Sequence, residues 1–168
     1  MTHAPRLAVD FPGTSSLGGA LVARGLWMAV AESCTGGLLG AAITSHPGAS
    51  GYLRGGVIAY SDRVKVDLLG VDAALLARVG AVSSEVAQAM AHGVARRLHA
   101  DLGLGITGVA GPEAQGSEKP VGLIYVAAWL AGETRVVELR EVGYREANRA
   151  AAVEAALTLA AEILAPAA

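Results

Sequence analysis

The 168-residue sequence predicts a three-layer α/β/α sandwich around a mixed, mostly parallel five-stranded sheet with one strand antiparallel. Three observations carry that prediction. Short apolar runs bounded by glycine, read as buried strands, alternate with segments of helical spacing as far as Thr107. The last two β-rich runs are joined by Ala131-Gly132-Glu133, a hairpin signal. The length suits one domain with a real core.

Residues 1–13 carry Pro5, Pro12 and Gly13 and read as a flexible lead-in, with 14–168 as a single domain. Thr14-Ser15-Ser16 offers N-cap hydroxyls for a helix with Leu17, Ala20, Leu21 and Ala23 or Arg24 at helical spacing, closed by Gly25. A first strand is predicted over about 26–32, then a small-residue helix over about 36–45 that stops before Pro47. The turn residues His46–Gly51 lead to a second strand, Gly55–Tyr60. Ser61 can cap a short helix with Val64 and Leu68 on one face, ended by Gly70. Asp72 can cap another, ended by Gly80. Ser83 or Ser84 opens a longer helix with Val86, Met90, Val94 and Leu98 as its buried stripe. The third strand is Asp101–Thr107, followed by a long irregular loop over Gly108–Pro120. Val121–Leu130 and Thr134–Val142 form the hairpin, and Arg145–Leu164 is the last helix.

Helical crossovers make the first three strands parallel. Ligands in such sheets bind beyond the carboxyl ends of the strands. Those ends are Ser33-Cys34-Thr35, Tyr60-Ser61 and Thr107-Gly108, so three polar clusters converge on one edge.

Composition bounds the function. Net charge is −2 with no basic tract, which argues against a nucleic-acid or anionic-membrane partner. One cysteine, Cys34, excludes an internal disulfide framework and a thiolate zinc cluster and points to a reduced, cytoplasmic setting. No secretory signal and no apolar run of membrane-spanning length is present. No His/Cys/Asp/Glu grouping has metal-ligand spacing, so neither a catalytic metal nor a cofactor is expected. The Ala-rich helical faces suit a homo-oligomer, such as a dimer.

Ser33 sits where a strand hands over to a helix, and it needs a base to become a nucleophile. His3, His46, His92 and His99 are poorly placed. Lys65 lies about one turn into the helix capped by Ser61 and would lean back toward the sheet edge. Burial and a helix N-terminus would both lower its pKa, and Tyr60 could relay a proton. The plainer reading makes Lys65 a solvated helix residue and Tyr60 a strand-end aromatic. Cys34 is the rival nucleophile, or simply a small buried residue. Thr35-Gly36-Gly37 and Thr107-Gly108 are backbone-donor turns able to hold an oxyanion, phosphate or carboxylate. Arg145 and Lys119 could supply a cation to an anionic substrate.

Several ordered motifs together resemble the CinA C-terminal domain family. They are Ala31–Gly37, Gly55–Ser61 with Lys65 and Leu68-Leu69-Gly70-Val71, Gly80–Ser83, Thr107–Pro112 and Lys119–Gly122. The resemblance covers about residues 14–164. It implies hydrolysis of the carboxamide of nicotinamide mononucleotide to nicotinate mononucleotide and ammonia, in pyridine-nucleotide recycling. It further implies Ser33 as nucleophile, Tyr60 and Lys65 as proton-handling partners, and Thr35, Gly36, Gly37, Thr107 and Gly108 as site-lining residues. The chain departs from the family pattern at Ala114 and Gln115, where two glycines are usual, and at Tyr144, where aspartate is common. A catalytically silent nucleotide-binding module of the same fold is the alternative.

Overall fold

In a computed structural model of the chain, residues 7–114 and 118–165 are described. Along the chain come α1 (Leu7–Asp10), α2 (Gly13–Arg24), β1 (Met28–Glu32), α3 (Leu38–Thr44), β2 (Leu53–Ile58), α4 (Asp62–Leu69) and α5 (Ala73–Val79). Then follow α6 (Ser84–Arg97), β3 (Leu102–Gly108), β4 (Leu123–Leu130), β5 (Glu133–Arg140) and α7 (Arg145–Leu164). The strands lie in the order β2-β1-β3-β4-β5. β1 pairs parallel with β2 and β3, while β4 runs antiparallel to both its neighbours. One strand therefore opposes the other four, as the hairpin signal requires.

The two faces of the sheet are covered differently, and β3 shows why. Its sequence alternates bulky and bare: Leu102, Leu104 and Ile106 join the large core with Leu21, Leu39, Ile124, Val153 and Leu157, under α2, α3 and α7. Gly103 and Gly105 face the opposite way, onto α6. A Cβ at Gly103 would run into the Ala91 carbonyl, and one at Gly105 into the Ala87 carbonyl. The missing side chains let the α6 backbone rest almost on the sheet, with Ala87 and Ala91 at the contact.

Several local expectations are corrected. Helix α2 begins at Gly13 behind Pro12, without a side-chain cap. Thr14 is buried instead, and its hydroxyl meets the Phe11 carbonyl at 2.8 Å and His46 Nδ1 at 2.7 Å. Within the predicted lead-in, residues 7–10 form a helical turn and Phe11 is buried in the core; residues 1–6 lie outside the described residues. In α4 the fully buried pair is Lys65 and Leu69; of the expected face, Val64 is half-buried against the core and Leu68 is exposed. The helix is turned by one residue relative to its apolar pattern, which puts a lysine in the interior. The hairpin strands begin and end two residues inside their apolar runs, because Gly122 (φ 86) turns the chain against Glu141 and leaves Val142 fully exposed.

Candidate active site

The strand ends are pinned together before any side chain contributes. Ser33 N–H donates to the Ile106 carbonyl at 3.0 Å, and Ala59 N–H donates to the Glu32 carbonyl at 2.7 Å. This fixes the chain leaving β1 against the chain leaving β2 and β3. A cleft of about 670 Å³ opens there, lined by Ser33, Cys34, Tyr60, Asp62, Lys65, Thr107, Gly108, the loop 109–114 and Arg145. Ser33, Tyr60, Lys65, Thr107, Gly108 and Arg145, all expected from the sequence, are brought to this one cleft.

Thr35, Gly36 and Gly37 are not on its wall. Glu32, only 2% exposed, turns its carboxylate under the start of α3. There it accepts the N–H groups of Gly37 (3.1 Å), Leu39 (3.0 Å) and Gly40 (2.9 Å). Gly36 N–H donates to the Ser33 carbonyl at 3.0 Å. The donors expected at Gly36 and Gly37 for an oxyanion or phosphate are thus already used by the protein itself. The turn's remaining amides not taken by a carbonyl or carboxylate are those of Cys34 and Thr35. The Thr35 hydroxyl is buried and unpaired, and the Thr107 hydroxyl donates to the Ala81 carbonyl at 2.8 Å.

Lys65 is 1% exposed. Ser61 caps α4 by accepting from Val64 N–H, and Gly70 closes the helix in the left-handed conformation. Burial pulls the Lys65 ammonium below its ordinary range, while the Asp62 carboxylate, 3.5 Å from Nζ, pushes the other way. The solvated-lysine reading is therefore set aside. Cys34 is buried, and burial pushes its thiol up to about 12. It is protonated at neutral pH and a poor nucleophile.

Tyr60 is 61% exposed at the cleft mouth. Its hydroxyl accepts a hydrogen bond from Arg145 Nη2 at 3.1 Å, and Arg145 Nη1 donates to the Gly111 carbonyl at 2.6 Å. One turn further along α7, Asn148 Nδ2 donates to Ala110 O, and Arg149 Nη2 donates to Thr35 O at 2.7 Å. The first turns of α7 thereby fasten the loops after β1, β2 and β3 to one another. Two arginines at a helix N-terminus oppose the helix dipole; these bonds are the compensation. Asn148 and Asp62 were not singled out from the sequence. The i, i+3, i+4 spacing of Arg145, Asn148 and Arg149 was the available signal for Asn148.

Lys119 is half-buried and lies off the cleft wall. Of the departures from the family pattern, Ala114 lines the cleft, Tyr144 is exposed at the α7 N-cap, and Gln115 lies outside the described residues.

The CinA C-terminal domain family profile matches residues 12–164. The chain belongs to the CinA C-terminal domain family. It is 53% identical over 134 residues to a putative competence-damage inducible protein of Halothermothrix orenii, an alignment covering 79% of this chain and 32% of that protein. It is 55% identical over 120 residues to a CinA-like protein of Gloeobacter violaceus, covering 71% of this chain and 28% of that protein. The chain thus spans about a third of the length of these curated relatives. Among solved structures, a CinA superfamily protein from Klebsiella pneumoniae superposes with a TM-score of 0.88 at 35% identity, covering 92% of this chain and 97% of that one. A competence/damage inducible protein from Agrobacterium tumefaciens gives 0.88 at 34% identity, covering 98% and 99%. The α/β architecture of this CinA domain matches those structures. Among the described residues, no helix is long and apolar enough to cross a membrane, and no group of three or more His, Cys, Asp or Glu could hold a metal ion.

Proposed function

We propose that this CinA domain hydrolyses the carboxamide of nicotinamide mononucleotide, releasing ammonia and nicotinate mononucleotide for pyridine-nucleotide recycling in the cytoplasm. The observation that carries the reading is a fully buried lysine, Lys65, opening into the same cleft as Ser33, with burial favouring its neutral amine.

In this mechanism neutral Lys65 takes the Ser33 Oγ proton as Oγ attacks the carboxamide carbon. The amide of Cys34, which lines the cleft and is taken by no carbonyl or carboxylate, is the donor offered to the tetrahedral oxyanion. As the C–N bond breaks, Lys65 returns the proton to the departing nitrogen, and ammonia leaves. Water then attacks the acyl ester, gives a proton to Lys65, and the ester bond breaks to free Ser33 after that proton returns to Oγ. Arg145, at the cleft mouth, suits the substrate's phosphate, and Tyr60 orients it through their shared hydrogen bond.

The test is ammonia release from nicotinamide mononucleotide by the wild type, Ser33→Ala and Lys65→Met. Each variant should lose at least about a thousandfold in kcat. Retained activity in Ser33→Ala removes Ser33 from the mechanism. Binding of the nucleotide by the wild type without turnover favours the silent module instead.

A further inference from the structure

Asp62 belongs to no motif used above, yet among the described residues it is the one carboxylate paired with the buried lysine. We propose that Asp62 is a positioning residue for the reaction, holding Lys65 Nζ toward Ser33 and carrying the counter-charge while Lys65 bears the serine's proton. The inference rests on the amidase reading above.

The geometry supplies three reasons. Asp62 and Lys65 are one turn apart on α4, both face the cleft, and Oδ1 lies 3.5 Å from Nζ. The lysine side chain is 2% exposed and the aspartate 63%. The amine is thus held in the interior while the carboxylate stays largely in water, so the carboxylate is spared the desolvation cost that the ammonium bears. Finally, a base works best when a third group orients it and balances the charge it acquires. Burial lowers the basicity of Lys65, and Asp62 opposes that effect.

The other groups facing this part of the cleft do not substitute for it. Cys34, from the β1–α3 turn, is a neutral thiol. Tyr60, after β2, accepts from Arg145 of α7, a cation. Glu113 reaches the cleft from the loop after β3 but forms no ion pair with Lys65 among the described residues. The segment before α6 contributes Ala81 and Val82, which do not titrate. The competing account is that Asp62 only favours the α4 N-terminus through the helix dipole. That role would move stability and leave the titration of Lys65 alone.

The chain has two lysines, Lys65 and Lys119, so Lys65 can be watched directly. The full chain is labelled with 13Cε-lysine, the resonances are assigned with Lys119→Arg, and both are titrated by NMR in the wild type, Asp62→Asn and Asp62→Glu. The pH dependence of kcat/KM on nicotinamide mononucleotide is measured on the same proteins. Removing the negative charge disfavours the ammonium. In Asp62→Asn the Lys65 midpoint should therefore fall by about half a pH unit or more, with Lys119 unmoved. The acid limb of kcat/KM should move to lower pH with it, the plateau kcat should drop about tenfold, and Asp62→Glu should restore much of both. An unchanged Lys65 midpoint and acid limb in Asp62→Asn overturns the proposal and leaves the amidase reading standing. A midpoint that moves while the acid limb stays overturns the role of Asp62 in the reaction with turnover intact, whereas a wild type without turnover at any pH overturns the amidase reading and the proposal with it.

Discussion

Replacing Glu32 by glutamine tests whether the buried carboxylate holds the nucleophile turn. In the native chain Oε2 accepts from Gly37 and Leu39, and Oε1 accepts from Gly40. Glutamine has the same shape, and its carbonyl can still serve two of those amides. Its NH2 group must then face the third N–H, donor against donor. The loss is one charge-assisted hydrogen bond plus one unsatisfied donor, and the two remaining bonds weaken with the charge gone. At about 1.5–3 kcal/mol for a bond to a charged group, the net cost is about 3 kcal/mol. For a domain of this size that corresponds to a fall in Tm of roughly 6–12 °C. Glu32→Ala leaves three orphaned donors, costs about 5 kcal/mol, and approaches the whole stability of an ordinary domain, so glutamine is the informative change. The assay is urea unfolding followed by far-UV circular dichroism, with the m-value checked against the wild type. A loss below about 0.5 kcal/mol would refute the reasoning. It would mean that water, entering by the groove between α3 and β2, satisfies those amides as well as the carboxylate does.

Other outcomes follow from single positions. Tyr144 is an exposed N-cap residue with no side-chain cap on α7; Tyr144→Asp should raise stability by about 1 kcal/mol, read as a rise in Tm in thermal unfolding. Gly105→Ala drives a methyl into the Ala87 carbonyl and within 2.7 Å of the Ala91 amide nitrogen, and because both are backbone it should cost about 3 kcal/mol in the urea midpoint. With its thiol buried and pushed up to about 12, Cys34 should react with iodoacetamide at pH 7.5 only after denaturant is added, and mass spectrometry of the native protein should find it unmodified.

The sheet was legible because its signals are local. Glycine-bounded apolar runs, crossover helices and the turn at Ala131-Gly132 each reveal themselves within a few residues, and the strand directions follow from them, whereas the spatial order β2-β1-β3-β4-β5 does not. The convergence of Ser33, Tyr60, Thr107 and Lys65 was legible for the same reason, since it needs only the ends of parallel strands. What stayed hidden depends on rotation and partnership. Apolar spacing put Val64 and Leu68 on one face, but the helix buries Lys65 and Leu69 and leaves Leu68 exposed, because a long aliphatic stem fills the interior as well as a branched one does. Gly36 and Gly37 looked like free donors, and the residue that occupies Gly37, Glu32, read only as the end of a strand. Nothing in the order of residues says which way that side chain turns beneath α3.

The fastening of three loops by Arg145, Asn148 and Arg149 has a consequence for synthesis. During translation the alcohol, the phenol and the amine all emerge before the ribosome has made the side chains that lock the rim. The cleft is therefore assembled from the carboxyl side, and a nascent chain halted before residue 145 would carry every reactive group on an unfinished mouth.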